Sequence, residues 1–171
     1  MNPMQQIRIE KITLNIGAGK EPEVLKKGLK LLKSLTTIEP VKTFTQKRIP
    51  GWGLRPGLPI GCKVTLRKEG AKEMLRRLLD ARGNKLIPTQ FDNNGSVSFG
   101  VPEYIDIKGA KYDPEIGIMG LEVSITLERP GFRIKRRTRR KTKLPMRVRI
   151  TQKDAIDFMK KEFNVVVEEE N

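Results

Sequence analysis

Leu121-Glu122-Val123-Ser124-Ile125-Thr126-Leu127-Glu128 alternates apolar and polar side chains without a break. Successive side chains of a strand point to opposite faces. This stretch therefore reads as a strand with one buried face and one wet face. Ile12-Thr13-Leu14-Asn15-Ile16 repeats the alternation and leaves Lys11, Thr13 and Asn15 on its wet side. Residues 63–68 do the same, with Val64 and Leu66 inward and Lys63, Thr65 and Arg67 outward. Shorter strand readings cover residues 41–46 and, after the Asn93-Asn94-Gly95 turn, residues 96–101 and 104–107.

Between these strands the period changes to that of helices. Glu21, Pro22 and Glu23 suit a first turn, and Val24, Leu25, Gly28, Leu31, Leu32 and Leu35 follow at helical spacing up to Pro40. Met74, Leu75, Leu78 and Leu79 form the stripe of a second helix. Thr151 and Asp154 open a last one, near 151–163, carrying Ile156, Phe158, Met159 and Phe163. Glu168-Glu169-Glu170 reads as a frayed tail, and the chain holds no internal repeat. Half-wet strands mixed with one-sided helices predict an α+β fold in two layers. An antiparallel or mixed sheet is covered by helices on one face and open on the other. At 171 residues the chain suits one domain over 1–171, with a basic extension at 129–149.

That extension holds eleven Lys and Arg and no Asp or Glu, out of a net charge of +15 for the whole chain. The rest of the chain is close to balanced. Crowded like charges repel unless a polyanion neutralises them, so nucleic acid is the predicted partner. Arg133, Lys135, Arg136, Arg137, Arg139, Arg140, Lys141 and Lys143 form the candidate clamp. The competing reading is a solvated, disordered arm.

Catalysis finds little support. Without histidine the usual zinc and general acid/base arrangements are excluded, and a single cysteine, Cys62, forms no internal disulfide. Cys62 beside a strand start reads as packed. Asp and Glu show no paired catalytic spacing, so the chain is predicted not to be an enzyme and to need no metal or cofactor. No apolar run approaches the ~20 residues of a membrane span, and no signal pattern opens the sequence. A cytoplasmic protein is expected.

Asn15-Ile16-Gly17-Ala18-Gly19-Lys20 lies where a phosphate loop would lie, but lacks the full spacing of a nucleotide fingerprint. A tight strand-to-helix turn is the preferred reading, with a nucleotide-binding enzyme using Gly17–Lys20 as the alternative. Thr13, Asn15, Thr65 and Arg67 would offer hydrogen bonds to sugars, phosphates and base edges, or would form an ordinary wet sheet face. Residues 50–61 contain Pro50, Gly51, Gly53, Pro56, Gly57, Pro59 and Gly61, a density that excludes helix and interior strand and predicts a long shaped loop. Gly57-Leu58-Pro59-Ile60-Gly61 is expected to project as a small apolar tip between Lys47-Arg48 and Lys63. Trp52 in this loop is expected to fold back onto the core, with stacking on a nucleotide as the alternative.

At this point the residues resemble the 5S-rRNA-binding L-five family of the large ribosomal subunit, called L-eleven in eukaryotes. The residues that carry the likeness are 11–19 (KITLNIGAG), 54–67 (LRPGLPIGCKVTLR), and Phe91-Asp92-Asn93-Asn94-Gly95 with Ser98-Phe99-Gly100 and Glu103. Tyr112 to Ile118 and Arg129 to Phe132 are similar to the archaeal and eukaryotic branch. The resemblance implies an open sheet face that docks on 5S rRNA in the central protuberance, with large-subunit rRNA as a further candidate. It implies rRNA contacts at Thr13, Asn15, Gln46, Lys47, Arg48, Lys63, Thr65 and Arg67. Residues 54–61, with Arg55, Pro56, Gly57, Leu58 and Pro59, would face peptidyl-site tRNA. Neighbouring proteins of the protuberance and the small-subunit head would be further partners, and a membrane would not. Two departures stand out. The helical extension of bacterial members is absent before the first strand, and a Gln common in the family falls on Ile38. The bacterial pattern gives no guide to 129–149. A nonspecific nucleic-acid binder stays open as another reading.

Overall fold

The computed structural model describes residues 2–168. In chain order its regular elements are β1 (Arg8–Gly17), α1 (Pro22–Thr36), β2 (Val41–Phe44), β3 (Pro59–Leu66), α2 (Lys68–Ala81), β4 (Lys85–Leu86), β5 (Ser96–Val101), β6 (Leu121–Glu128), α3 (Arg133–Arg136), α4 (Gln152–Phe163) and β7 (Val166–Val167). Five strands form one sheet in the order β2-β3-β1-β6-β5, with every neighbouring pair antiparallel. β1 is the centre. It pairs with β3 through Thr13 and Thr65, and with β6 through Thr13 and Ser124.

The buried face of the sheet carries Ile12, Leu14, Ile16, Cys62, Val64, Val97, Phe99, Val123 and Ile125. Helix α1 brings Leu25, Leu31, Leu32 and Leu35 into the same core, and α2 brings Met74, Leu75, Leu78 and Leu79. Burying each such leucine contributes about 1.5–3 kcal/mol, which is why the amphipathic stripes hold to the sheet. At the start of α4, Thr151 accepts from Asp154 N–H while the Asp154 carboxylate accepts from Thr151 N–H, the reciprocal cap predicted from sequence. The α+β class, with helices on one sheet face, is the observed one. No helix of the described residues is long and apolar enough to cross a membrane.

Four expectations need correction. Residues 59–61 belong to β3, an interior strand, and not to the loop. Pro59 is the strand's first residue, where a missing N–H costs least. At Gly61 a Cβ would stand 2.6 Å from the Ile16 carbonyl oxygen, so glycine is what allows the two strands to close there. At the other end β3 stops at Leu66, and β2 stops at Phe44, beside a register shift between Thr43 and Phe44. Instead of a strand, Tyr104–Asp106 form one 3-10 turn with Tyr104 and Ile107 buried, because Tyr104 Oη accepts from Asp113 N–H at 2.9 Å and anchors the following loop. Finally, β7 pairs in parallel with β4, and Glu168 bonds to both Leu86 and Lys85. Glu168 is thus held and not frayed, while Glu169 and Glu170 lie outside the described residues.

Candidate nucleic-acid interface

Pairing around β1 lines up one row of small hydroxyl side chains across four strands: Thr65, Thr13, Ser124 and Ser98. Ser98 Oγ and Ser124 Oγ lie 3.3 Å apart. A neighbouring row runs Val41, Lys63, Asn15, Glu122 and Gly100. Helices cover the opposite face, so these rows form the open side of the sheet. The row from Thr65 to Ser98 offers short neutral donors and acceptors, so a polar chain can approach it without a charge to desolvate, while the neighbouring row carries Lys63 and Glu122.

Of the predicted sheet residues, Thr13, Asn15, Lys63 and Thr65 share this face. Asn15 Nδ2 donates to Glu122 Oε2 at 3.0 Å, which leaves the Asn15 carbonyl oxygen as the outward acceptor. Arg67 does not stand on the strand. It caps the start of α2, and its guanidinium reaches Glu10 at 3.4 Å on the sheet's rim. Glu10 is the extra residue of a bulge in β1 between Ile9 and Lys11, which turns its carboxylate toward Arg67 and Arg136. Glu128 lies beside it, buried, and takes Arg8 at 2.8 Å and Arg136 at 2.7 Å.

This rim fixes the path of the basic segment. Arg136 binds Glu10 and Glu128, so one arginine assigned to the clamp is already neutralised inside the protein. Arg129 is held by Asp154 at 3.1 Å and by the carbonyls of Val148 and Arg149. Leu144 and Ile150 are buried. With these anchors the segment lies on the fold and does not form a free arm. Arg133, Lys135, Arg139, Arg140, Lys141 and Lys143 are exposed, with no ion pair among the described residues. Arg137 Nε donates to the Arg140 carbonyl at 2.8 Å, which bends the outermost turn.

The loop between β2 and β3 is a hairpin-like projection closed at its base by Thr45 N–H on Leu58 O at 2.9 Å. Farther out it is closed by the mutual bonds of Ile49 and Leu54. Gln46, Lys47 and Arg48 are exposed on its outgoing arm, and Arg55, Pro56 and Gly57 on the return. Leu58 and Pro59 are half-buried at the base, so the expected apolar tip at 57–61 is not the tip. Pro50–Trp52 form the end of the projection, and Trp52 is 70% exposed. It does not fold back onto the core, because the Ile49–Leu54 closure sets Trp52 at the outside of a tight turn.

Gly17 to Lys20 make the strand-to-helix turn. Ala18 N–H donates to Ile60 O at 2.9 Å and Glu21 N–H to Ala18 O at 3.3 Å. Cys62 is buried, and burial pushes its thiol up to about 11. Ser98, Glu122 and Ser124 join the open face unforeseen as site residues. Periodicity marks them as wet, but only strand pairing sets them beside Thr13.

Two family models match the chain: Ribosomal protein L5 over residues 2–55, and the C-terminus of the same ribosomal family over residues 59–146. Among curated proteins it is 47% identical to the large ribosomal subunit protein uL5 of Sulfurisphaera tokodaii, covering 99% of this chain and 96% of that protein. The protein of the same name from Nanoarchaeum equitans is 48% identical, with 97% and 98% covered. The one from Methanosphaera stadtmanae is 45% identical, with 98% and 100% covered.

Proposed function

The chain belongs to the L5 family of ribosomal proteins and is a structural, non-enzymatic constituent of the large subunit; on that premise we propose that it binds 5S rRNA through its open sheet face. The observation that carries this reading is the row Thr65, Thr13, Ser124 and Ser98, an uncharged strip across four strands with the exposed Lys63 in the row beside it. Hydroxyls and the Asn15 amide suit sugar hydroxyls and base edges, whereas Lys63, Arg139 and Lys141 suit phosphates. Gln46, Lys47 and Arg48, on the projecting loop beyond the Pro59 end of β3, and Arg67, just past its Leu66 end, extend the RNA contact. Large-subunit rRNA is a second RNA within reach of the basic segment.

The projecting loop has a separate role. Arg55, Pro56, Gly57, Leu58 and Pro59, together with the exposed ring of Trp52, contact peptidyl-site tRNA, and proteins of the protuberance and the small-subunit head abut the remaining surface. Binding of purified protein to 5S rRNA, measured across a salt series, tests the main claim. With ~6 phosphates neutralised, the log-log slope is around −4 to −5. Equal affinity for an unrelated RNA duplex, or for DNA at matched salt, would refute specific recognition and leave a general polyanion binder.

A further inference from the structure

The basic segment does more than present charge, because it folds around a cleft of about 520 Å³. That volume falls within the roughly 300–1,000 Å³ of small-ligand sites. Leu144 and Ile150, both buried, and the half-buried Phe132 supply apolar walls, while Lys135, Lys141, Lys143 and Arg149 line the same space. No carboxylate lines it, and none of the four cations has an ion pair among the described residues.

The cleft is built, not incidental. Thr142 N–H returns to Ile134 O at 3.3 Å, carrying the chain back over α3, and Arg149 Nε closes the other side on Leu144 O at 3.2 Å. On the third side the turn at Asn94-Gly95 presses on Ile150. Gly95 has φ +77°, and a Cβ there would meet Ile150 Cγ2 at 2.5 Å, so only glycine brings Asn94 to the edge of the cleft.

An aromatic ring and aliphatic walls under a ring of cations match the two halves of a nucleotide, a flat base and an anionic phosphate. We infer that this cleft receives one unstacked nucleotide of the bound RNA, its base against Phe132 and its phosphate among Lys135, Lys141 and Lys143. The inference rests on the RNA-binding reading above and deepens it. Arg133, Arg139 and Arg140 lie outside the cleft on the same exposed segment, where the flanking phosphates of a continuous strand would run. A free mononucleotide would leave those charges unused.

Full-length protein and 5S rRNA provide the test. Ultraviolet irradiation of the wild-type complex, followed by mass spectrometry, is expected to attach a nucleotide to the peptide containing Phe132. Phe132→Leu keeps the wall apolar but removes the ring, and it lowers 5S affinity about 10-fold, the order of one lost base stack. The salt slope stays unchanged, since stacking releases no counterions. Arg139→Ala with Arg140→Ala instead flattens the slope by about 1.5–2. Leu144→Trp, which fills the cleft, should match Phe132→Leu in its loss of affinity. A tight wild-type complex with crosslinks only on the sheet face, and full affinity in Phe132→Leu, overturns the cleft and leaves the RNA-binding reading standing. If Phe132→Leu is silent while Lys141→Met and Lys143→Met reduce affinity and slope, the cleft takes a phosphate alone and the inference fails. A wild-type protein that does not bind 5S rRNA overturns both.

Discussion

Arg136 Nη2 donates to Glu128 Oε2 at 2.7 Å, joining the basic segment to the last residue of the strand β6. Glu128 is buried and keeps Arg8 as a second partner, so Arg136→Ala leaves a carboxylate that is still paired. The expected cost is about 1 kcal/mol by urea unfolding, small because Arg136 is half exposed and screened by water. The local effect is larger. Trypsin should cut between residues 137 and 143 several-fold faster in the variant, and an unchanged cleavage rate would show that the pair does not hold the segment down.

Asn15→Ala and Thr65→Ala remove polar groups of the open sheet face without touching the core. Each should weaken 5S rRNA binding by about 1–2 kcal/mol, roughly 5- to 30-fold, with the salt slope unchanged. A slope change on Asn15→Ala would mean that the residue acts through phosphate or through charge released at Glu122.

Lys30 lies 2.7 Å from Asp113, and the ammonium, followed by the Glu115 N–H, holds the Asp113 carboxyl below its ordinary range. A carboxyl lowered in the folded state stabilises the fold above its unfolded pKa, near 3.9. The contribution disappears as pH falls through the lower folded value. Asp113→Asn should therefore lose less stability than wild type between pH 5 and the acid limit, measured as urea midpoints. Parallel midpoints for the two proteins would contradict the assignment.

Cys62 sits inside the sheet's buried face with its thiol raised to about 11. At pH 8 almost no thiolate forms, and none of it is accessible. Native protein should resist a thiol-specific reagent for hours and react within minutes in denaturant. Rapid labelling of the native state would mean that α1 opens readily from the sheet.

Trp52, 70% exposed at the end of its loop, should emit at long wavelength and be quenched freely by acrylamide in the isolated protein. Docking of the loop on tRNA should protect it. A blue-shifted, protected emission without RNA would place the ring on the core after all.

The elements with the longest periodic signal were legible in sequence. Residues 121–128, 12–16 and 63–66 alternate because one face is buried. The stripes of α1, α2 and α4 repeat because each packs on that face. What periodicity does not encode is pairing. The two-residue strands β4 and β7 are too short to show a period, and they exist only because residues 85–86 and 166–167 meet in space. The same reason hid Ser124 as the partner of Thr13, Ser98 as the partner of Ser124, and the capture of Arg136 by Glu10 and Glu128. Trp52 escaped for a different cause, since a bridge between Ile49 and Leu54 decides which way its turn faces.

The central position of β1 between β3 and β6 has a consequence for synthesis. The N-terminal half of the chain emerges with β1 flanked on one side only, and its other edge waits until residues 121–128 leave the exit tunnel. The row from Thr65 to Ser98 therefore has no existence in a nascent chain of a hundred residues. The cationic segment follows β6 at once, so shape and charge become available almost together, late in translation, and a truncated product would carry neither.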